Sequence, residues 1–519
     1  MKIGINKLRS KFEELFGIDL RSLAFFRIGI ALVVLFDLAV RSTDLTAFYT
    51  DSGVLPRLSL LNHNPNPWVL SIHFMSGTVL GQTILFVIQG ICAIGLLLGF
   101  KTRWMAFLSW FLMASLQRRN PLILGGADNY LRMMLFWGMF VPLGARYSLD
   151  NILNPDRHQY PKSVLNWATA AILLQTAFVY EFTALHKWQG ELWKEGSALY
   201  YTLNLDMYAQ WPAESLLQFP LLLQWMTSAI LWFESIGPFL LFFPFLTVPI
   251  RSCTIGCFLL MQLGFYSLMY LKLFPAISVV ALILFLPSWF WERWAYPLRD
   301  VMLSRFKFME RIARQCFDYV RLMRPLRPDT TIPYNHSPDK IPANKTPLGT
   351  SAAVAFFLIF VFFWTLGELI PSKLKMPKPL HNFGTFIYVD QAWKMFAPNP
   401  ARLSGWLVVP GVLADGTQLD ISRNGAPVSW TKPPQRSMFK NERWRKYFVH
   451  FSLRKDKRVW NDYARYLCRS WNARHTDEKK LVSLEIVLMA RQTPPECEKI
   501  GEYGKKSLLN YACRDKSKK

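Results

Sequence analysis

Tyr180-Glu-Phe-Thr-Ala-Leu-His-Lys-Trp-Gln-Gly-Glu-Leu-Trp-Lys-Glu-Gly-Ser-Ala-Leu-Tyr-Tyr201 continues an apolar run that begins at Val164. Such a run can enter a bilayer, whose hydrocarbon core takes about 20 residues of helix. Where it ends, His186 and Lys187 stand between Leu185 and Trp188. A lysine at the edge of hydrocarbon has two readings. It can snorkel its ammonium to the headgroups beside an interfacial tryptophan. Alternatively, desolvation disfavours its charge and leaves a usable base near neutral pH. Spacing alone favours the anchor, since charge within a membrane only sometimes marks chemistry.

The rest of the chain sets that stretch among others like it. Of 519 residues, 52% are hydrophobic and 15% aromatic, including 20 Trp and 40 Phe, more than a soluble protein of this length carries. Apolar runs predict about nine spans, near 20–40, 79–100, 104–116, 133–143, 164–185, 221–243, 254–270, 276–291 and 352–370. Residues 1–19 form a basic amphipathic lead-in. The Lys/Arg-rich start runs into a long apolar helix without a small-residue cleavage site, so no cleavable signal peptide is expected. Arg27 and Asp37 fall within the first span, ten residues apart, near one face without touching. Residues 296–350 are basic and proline-dotted, with an interfacial helix expected near 298–322. After the last span (351–371), residues 372–500 show short alternating runs, with turn pairs at Asp415-Gly416 and Asn424-Gly425 and one helix near 460–472. Residues 501–519 look like a frayed basic tail. The predicted fold is mainly α: a polytopic helical membrane domain of about nine spans followed by a small β-rich soluble domain.

The net charge of +25 comes without zinc-finger spacing or a phosphate-binding glycine loop, so nucleic acid is not the expected partner and no metal is predicted. Basic residues flank the apolar runs instead, which suits an anionic bilayer. Their bias places the N-terminus, Lys101/Arg103 and the loops at 144–163 and 292–350 on the cytoplasmic side. The Lys187 stretch, the insert around Asp128 and the β-rich domain then share the exoplasmic face. None of the seven cysteines forms a CxxC, and the pairing of Cys468, Cys497 and Cys513 stays open.

Four blocks carry a family resemblance. They are Ile18-Asp-Leu-Arg-Ser-Leu-Ala-Phe-Phe-Arg-Ile-Gly29, Phe48-Tyr-Thr-Asp-Ser-Gly-Val-Leu-Pro-Arg57, Asn120-Pro-Leu-Ile-Leu-Gly-Gly-Ala-Asp128 with Pro142-Leu-Gly144, and the Lys187 stretch. Together they resemble the HTTM (horizontally transferred transmembrane) domain shared with vitamin K-dependent gamma-carboxylase, over about Leu15 to Trp294, with the HTTM-like transmembrane domain bounded at 20–295. Asp390-Gln-Ala-Trp-Lys-Met-Phe-Ala-Pro-Asn-Pro400 is similar to a motif that follows the membrane domain in bacterial HTTM proteins.

The resemblance implies a lyase-type membrane enzyme in which an exoplasmic lysine deprotonates a reduced quinone of the vitamin K type. The oxygenated quinone then takes a proton from a peptide glutamate, and CO2 adds. Lys187 in Ala184-Leu-His-Lys187 inherits the role of base. Asp128 stands where the carboxylase has a functional histidine, and Gln262 roughly where the family often has another. Asp128 joins Lys187 as the second catalytic candidate. Asn129, Arg132, His186, Trp188 and Gln262 are the substrate-binding candidates. Asp128 and Arg132, at i and i+4, are expected on one face, either opposite Lys187 or as a structural ion pair. Glu234 lines a cavity or is a paired structural acid. Trp393 and Phe396 are expected to plug the β-rich domain onto the bundle. The alternative function is a non-catalytic membrane factor for maturation, export or immunity of a secreted peptide.

Overall fold

The computed structural model describes residues 2–63, 66–153, 162–297, 347–370, 376–454, 456–496, 498 and 501–513. The interfacial helix expected near 298–322 lies outside them.

A bundle of helices forms where the apolar runs fall. After α1 (Lys2–Phe16) come α2 (Leu20–Ser42), α3 (Val79–Leu98), α4 (Thr102–Arg119) and α5 (Gly126–Gly138). They are followed by α6 (Trp167–Trp188), α7 (Pro220–Leu240), α8 (Thr247–Leu268), α9 (Leu273–Leu282) and α10 (Leu348–Leu369). Capping chemistry sets several boundaries. Asp19 accepts the Arg21 N–H at the start of α2. Asn166 and Thr169 exchange hydrogen bonds at the start of α6. Gly99, with φ 71°, ends α3 in the left-handed conformation that glycine adopts without steric cost.

Five of these helices, α2, α3, α6, α8 and α10, are long and apolar enough to cross a membrane among the described residues. The expected eighth span is bent by 98° between Leu273–Phe285 and Ser288–Ala295, and counts as a sixth if the pair is one span. Pro287 accounts for the break, because the residue before a proline avoids helical angles; Leu286 has ψ 122°. The other three helices are shorter or more polar. α5 has 13 residues, α4 carries Arg103, Arg118 and Arg119, and α7 is diluted by Gln224, Glu234 and Pro238.

The two ends of α2 face different surroundings. Arg27, fully buried, donates to the carbonyls of Leu143 and Tyr147, and α1 lies at this end too, where Arg251 donates to the carbonyls of Glu14 and Leu15. Asp37 and Arg41 lie toward the opposite end, against the C-terminal β-rich region. Arg27 and Asp37 do not touch, as their spacing implied.

That β-rich region holds β1 (Leu403–Val408), β2 (Pro410–Leu413), β3 (Gln418–Asp420), β4 (Leu481–Gln492) and β5 (Gly504–Ala512), with α11 (Glu442–Arg454) and α12 (Lys457–Asn472). β4 is the centre: β1 and β2 pair with its two halves along one edge, β3 extends from β2, and β5 covers the other edge, all antiparallel. The Asp415-Gly416 turn joins β2 to β3 as expected. The Asn424-Gly425 pair, both at positive φ, makes a turn that returns the chain to Asp420 rather than a hairpin between long strands. The segment expected to fray from Lys505 is strand β5. Leu509 faces Ile486 across the ladder, Tyr511 faces Leu484, and Cys513 is bonded to Cys468 of α12. Cross-strand apolar pairs and the crosslink outweigh the polar look of Lys505 and Lys506.

Candidate functional site

Lys187 lies in the last turn of α6, and its side chain turns into the protein. Its Nζ is 2.6 Å from Glu234 Oε2 on α7, and each side chain retains 4% of its surface. The same nitrogen sits 4.1 Å from the centre of the Trp193 ring, a cation–π distance. Helix α6 delivers Lys187 because Tyr180, Thr183 and Lys187 fall at i, i+3 and i+7 on its inward face, and all three are buried. Glu234 is one turn before Gly237 and Pro238, and Phe258 of α8 packs within 2.9 Å of where a Gly237 side chain would begin. Of the two sequence readings of Glu234, the observed one is a paired acid.

The neighbours of Lys187 divide by what they touch. Trp188 Nε1 donates to Ser235 Oγ at 2.9 Å, and its ring meets Trp232 edge-on. His186 is buried, and its Nε2 has no hydrogen-bond partner. Gln262 of α8 donates to the Tyr180 hydroxyl at 3.2 Å, while its Oε1 is unpartnered. The Tyr130 hydroxyl and Ser278 Oγ are buried close by, within reach of Thr176 and of the Tyr180 hydroxyl respectively. Tyr180 and Phe258 face each other with ring centres 4.4 Å apart. The bundle interior beside the lysine thus holds aromatic surface with two unfilled hydrogen-bonding atoms, His186 Nε2 and Gln262 Oε1.

The loop after α6 is held by the 390–400 motif. Trp193 Nε1 donates to the Phe396 carbonyl at 2.9 Å, and Asn399 Oδ1 accepts the Leu192 N–H. At Gly190 the backbone passes so close that a Cβ would lie 1.7 Å from the Pro398 oxygen. The front of the motif is sunk in the bundle. Trp393 is wholly buried and donates to Gln391 Oε1, which also accepts from Gln175 Nε2 at 2.9 Å. Trp364 of α10 donates to the Gln391 carbonyl. The cation that stacks on Trp193 is therefore placed by α6, α7 and this motif together.

Asp128 is engaged elsewhere. Its carboxylate receives Arg41 at 2.5 Å and Arg443 at 2.8 and 2.9 Å, and it caps the Gly125 N–H at 2.8 Å. Asp37 pairs with Arg41 at 2.7 Å and with Arg443. Two carboxylates and two guanidiniums, all buried, form a closed charge-balanced square between α2, α5 and α11, and Tyr49 adds a hydrogen bond to Arg41. Burial and the Arg41 charge oppose ionisation of Arg443, but Asp128 and Asp37 outweigh them and raise its pKa above that of a free guanidinium. No hydrogen bond or ion pair joins Asp128 to Lys187, or Asp128 to Arg132. The expected face opposite Lys187 is replaced by a knot that fixes α11 to the bundle. Helical spacing did place Asp128 and Arg132 on one side of α5, but stronger partners from α2 and α11 take the carboxylate.

Arg132 binds Gln117 Oε1, Asn129 Oδ1 and the Asp390 carbonyl, and Asn129 Nδ2 reaches the Ala392 carbonyl at 3.4 Å. These two candidates seat the 390–400 motif instead of facing the lysine. Arg443 and Asp37 are the residues whose roles spacing missed. Asp37 carried a signal, a carboxylate within a span, whereas Arg443 sits in an ordinary basic run.

Comparison of the chain with family models, curated proteins and solved structures finds no match.

Proposed function

We propose that this protein is a multi-pass membrane enzyme of the HTTM type, related to vitamin K-dependent gamma-carboxylase, that uses Lys187 as a base on a peptide or lipid-soluble substrate. The observation that carries this reading is the buried Lys187–Glu234 pair against Trp193. The 2.6 Å hydrogen bond from Lys187 Nζ to Glu234 Oε2 fixes the amine in an apolar wall shut off from water. That amine has the lone pair a base needs. Once Lys187 has taken a proton, the face of Trp193 lies where it stabilises the ammonium.

A reduced quinone of the vitamin K type fits the residues beside the lysine. Aromatic side chains, Tyr180 and Phe258 among them, surround that part of the interior, and a ring hydroxyl suits the unfilled Oε1 of Gln262. When bound, such a quinone supplies the oxidisable ring whose reaction with O2 drives removal of a carbon-bound proton. With that group bound, Lys187 would take its hydroxyl proton, Gln262 and Tyr180 would hold the ring oxygen, and packed aromatic side chains would exclude water. The Cys468–Cys513 bond suits an oxidising compartment and supports an exoplasmic β-rich region with the N-terminus in the cytoplasm.

The test is epoxide formation by purified protein in nanodiscs with reduced quinone, O2, CO2 and an acidic peptide. Wild type should form epoxide and Lys187→Ala should not. The mutual satisfaction of Lys187 and Glu234 also favours a second reading, a non-catalytic factor for maturation, export or immunity of a secreted peptide. Absence of epoxide from wild type with every quinone and peptide tried supports that reading and overturns the first.

A further inference from the structure

The proposed base makes no use of the cleft of about 1100 Å³ that lies between the exit of α2 and the β-rich region. Residues 42–47, leaving α2, form one wall. The opposite wall comes from β1, the segment before α11, α11 and α12, with Trp406, Phe439, Tyr447, Tyr463 and Tyr466 among its residues. Tryptophan and tyrosine at this density are characteristic of the level where hydrocarbon meets headgroups.

Three features define what the cleft would hold. The first is charge: Arg423, Lys440 and Arg474 line it; Lys440 pairs with Asp44 at 2.7 Å and Arg423 with buried Asp420 at 3.6 Å, so the cations outnumber the acids by one, Arg474. The second is hydrogen bonding. Trp406 Nε1, the Tyr447 hydroxyl and Arg423 Nη2 are buried atoms on lining residues without a partner. All three donate, and both Trp406 and Tyr447 are 2% exposed. Acceptor-rich groups such as phosphodiester and ester oxygens suit a wall with this surplus of donors. The third is the opening. Val79 and Thr83 of α3 line the cleft, and from there Leu80, Ile84, Val87 and Ile91 run down one face of α3 with 71%, 50%, 54% and 62% of their surface uncovered. Spacings of four, three and four residues make that face one continuous apolar stripe.

We propose that the cleft binds one anionic phospholipid, its phosphate among Arg423, Lys440 and Arg474 and its acyl chains along the α3 stripe, so that the lipid bridges the β-rich region to the bundle. This site is independent of Lys187 and stands or falls apart from the proposed activity.

Native mass spectrometry of the full-length protein in detergent, with phosphatidylglycerol or phosphatidylcholine added at equal concentration, reads the stoichiometry. One phosphatidylglycerol should be retained per chain, with at least a tenfold preference over phosphatidylcholine. Arg423→Glu with Arg474→Glu should abolish the preference, and Thr83→Trp, which fills the mouth and leaves the charges, should lower retention of both lipids. Phosphatidylglycerol with a diazirine on its acyl chain, applied to wild type, should crosslink within residues 79–91. Equal retention of the two lipids overturns the proposal. So does crosslinking confined to other segments, or a co-purified peptide in the cleft in place of lipid.

Discussion

Lys187 Nζ and Glu234 Oε2 meet at 2.6 Å across 47 residues of sequence, and neither side chain has solvent to fall back on. Removing one partner leaves the other with a charge or donor in an apolar wall, at a cost of about 3–5 kcal/mol. Glu234→Leu and Lys187→Met should each lower the thermal midpoint strongly. The double variant should recover most of the loss, because no orphaned charge remains. Additive losses in the double-mutant cycle would show that the two side chains do not depend on each other.

The Arg443 knot makes a second prediction. Arg443→Met leaves Asp37 and Asp128 sharing Arg41 alone, with one buried negative charge uncompensated. Destabilisation of about 3–5 kcal/mol is expected, and limited proteolysis should release α11 and the strands from the bundle. Arg443→Lys should rescue only part of this, since an ammonium cannot present the planar fork that reaches both carboxylates.

His73 gives a pH dependence. Burial, aided by the charges of Arg119 and Arg41, pushes its pKa down to about 4, although a hydrogen bond with Gln82 works the other way. An unfolded histidine titrates near 6.5. Between these values the unfolded chain takes a proton that the folded one refuses. Stability is therefore full above about pH 6.5 and falls as pH drops toward 4, by at most about 3 kcal/mol. His73→Gln should flatten the slope of thermal midpoint against pH in that window; an unchanged slope would assign it to other groups.

Gly190 tests the link between the lysine loop and the 390–400 motif. A methyl at this position would lie 1.7 Å from the Pro398 oxygen, so one backbone must move. Gly190→Ala should displace Trp193 from Lys187 and lower activity at least tenfold while α6 stays helical by circular dichroism. Full activity would separate the motif from the chemistry.

Apolar periodicity made most of the helices legible, and the 460–472 helix was foreseen within three residues of its observed start at Lys457. The break at Pro287 was harder to read, because prolines elsewhere in the bundle, Pro238 among them, stay inside helices where neighbours satisfy the backbone. Strand β5 was hidden by Lys505 and Lys506, both exposed at the start of an edge strand, Lys505 stacking on Trp430. At the site, Lys187 and Glu234 each stood out as a charge in an apolar run, but only tertiary structure pairs them. Asp128 shows the opposite case. Its spacing to Arg132 was sound, yet Arg443 reaches it from more than 300 residues away, and no local pattern encodes such a contact.

Charge and reactivity are separated most directly by Lys187→Arg. A guanidinium keeps the pair with Glu234 and the stacking on Trp193, but it does not give up its proton at accessible pH. The measurement is the rate of quinone epoxide formation by wild type and Lys187→Arg in the same nanodiscs, with folding matched by thermal midpoint. If Lys187 is the base, Lys187→Arg folds as wild type does and loses activity by about 100-fold or more. A folded Lys187→Arg with wild-type epoxide formation would contradict the assignment and leave Lys187 as a structural cation.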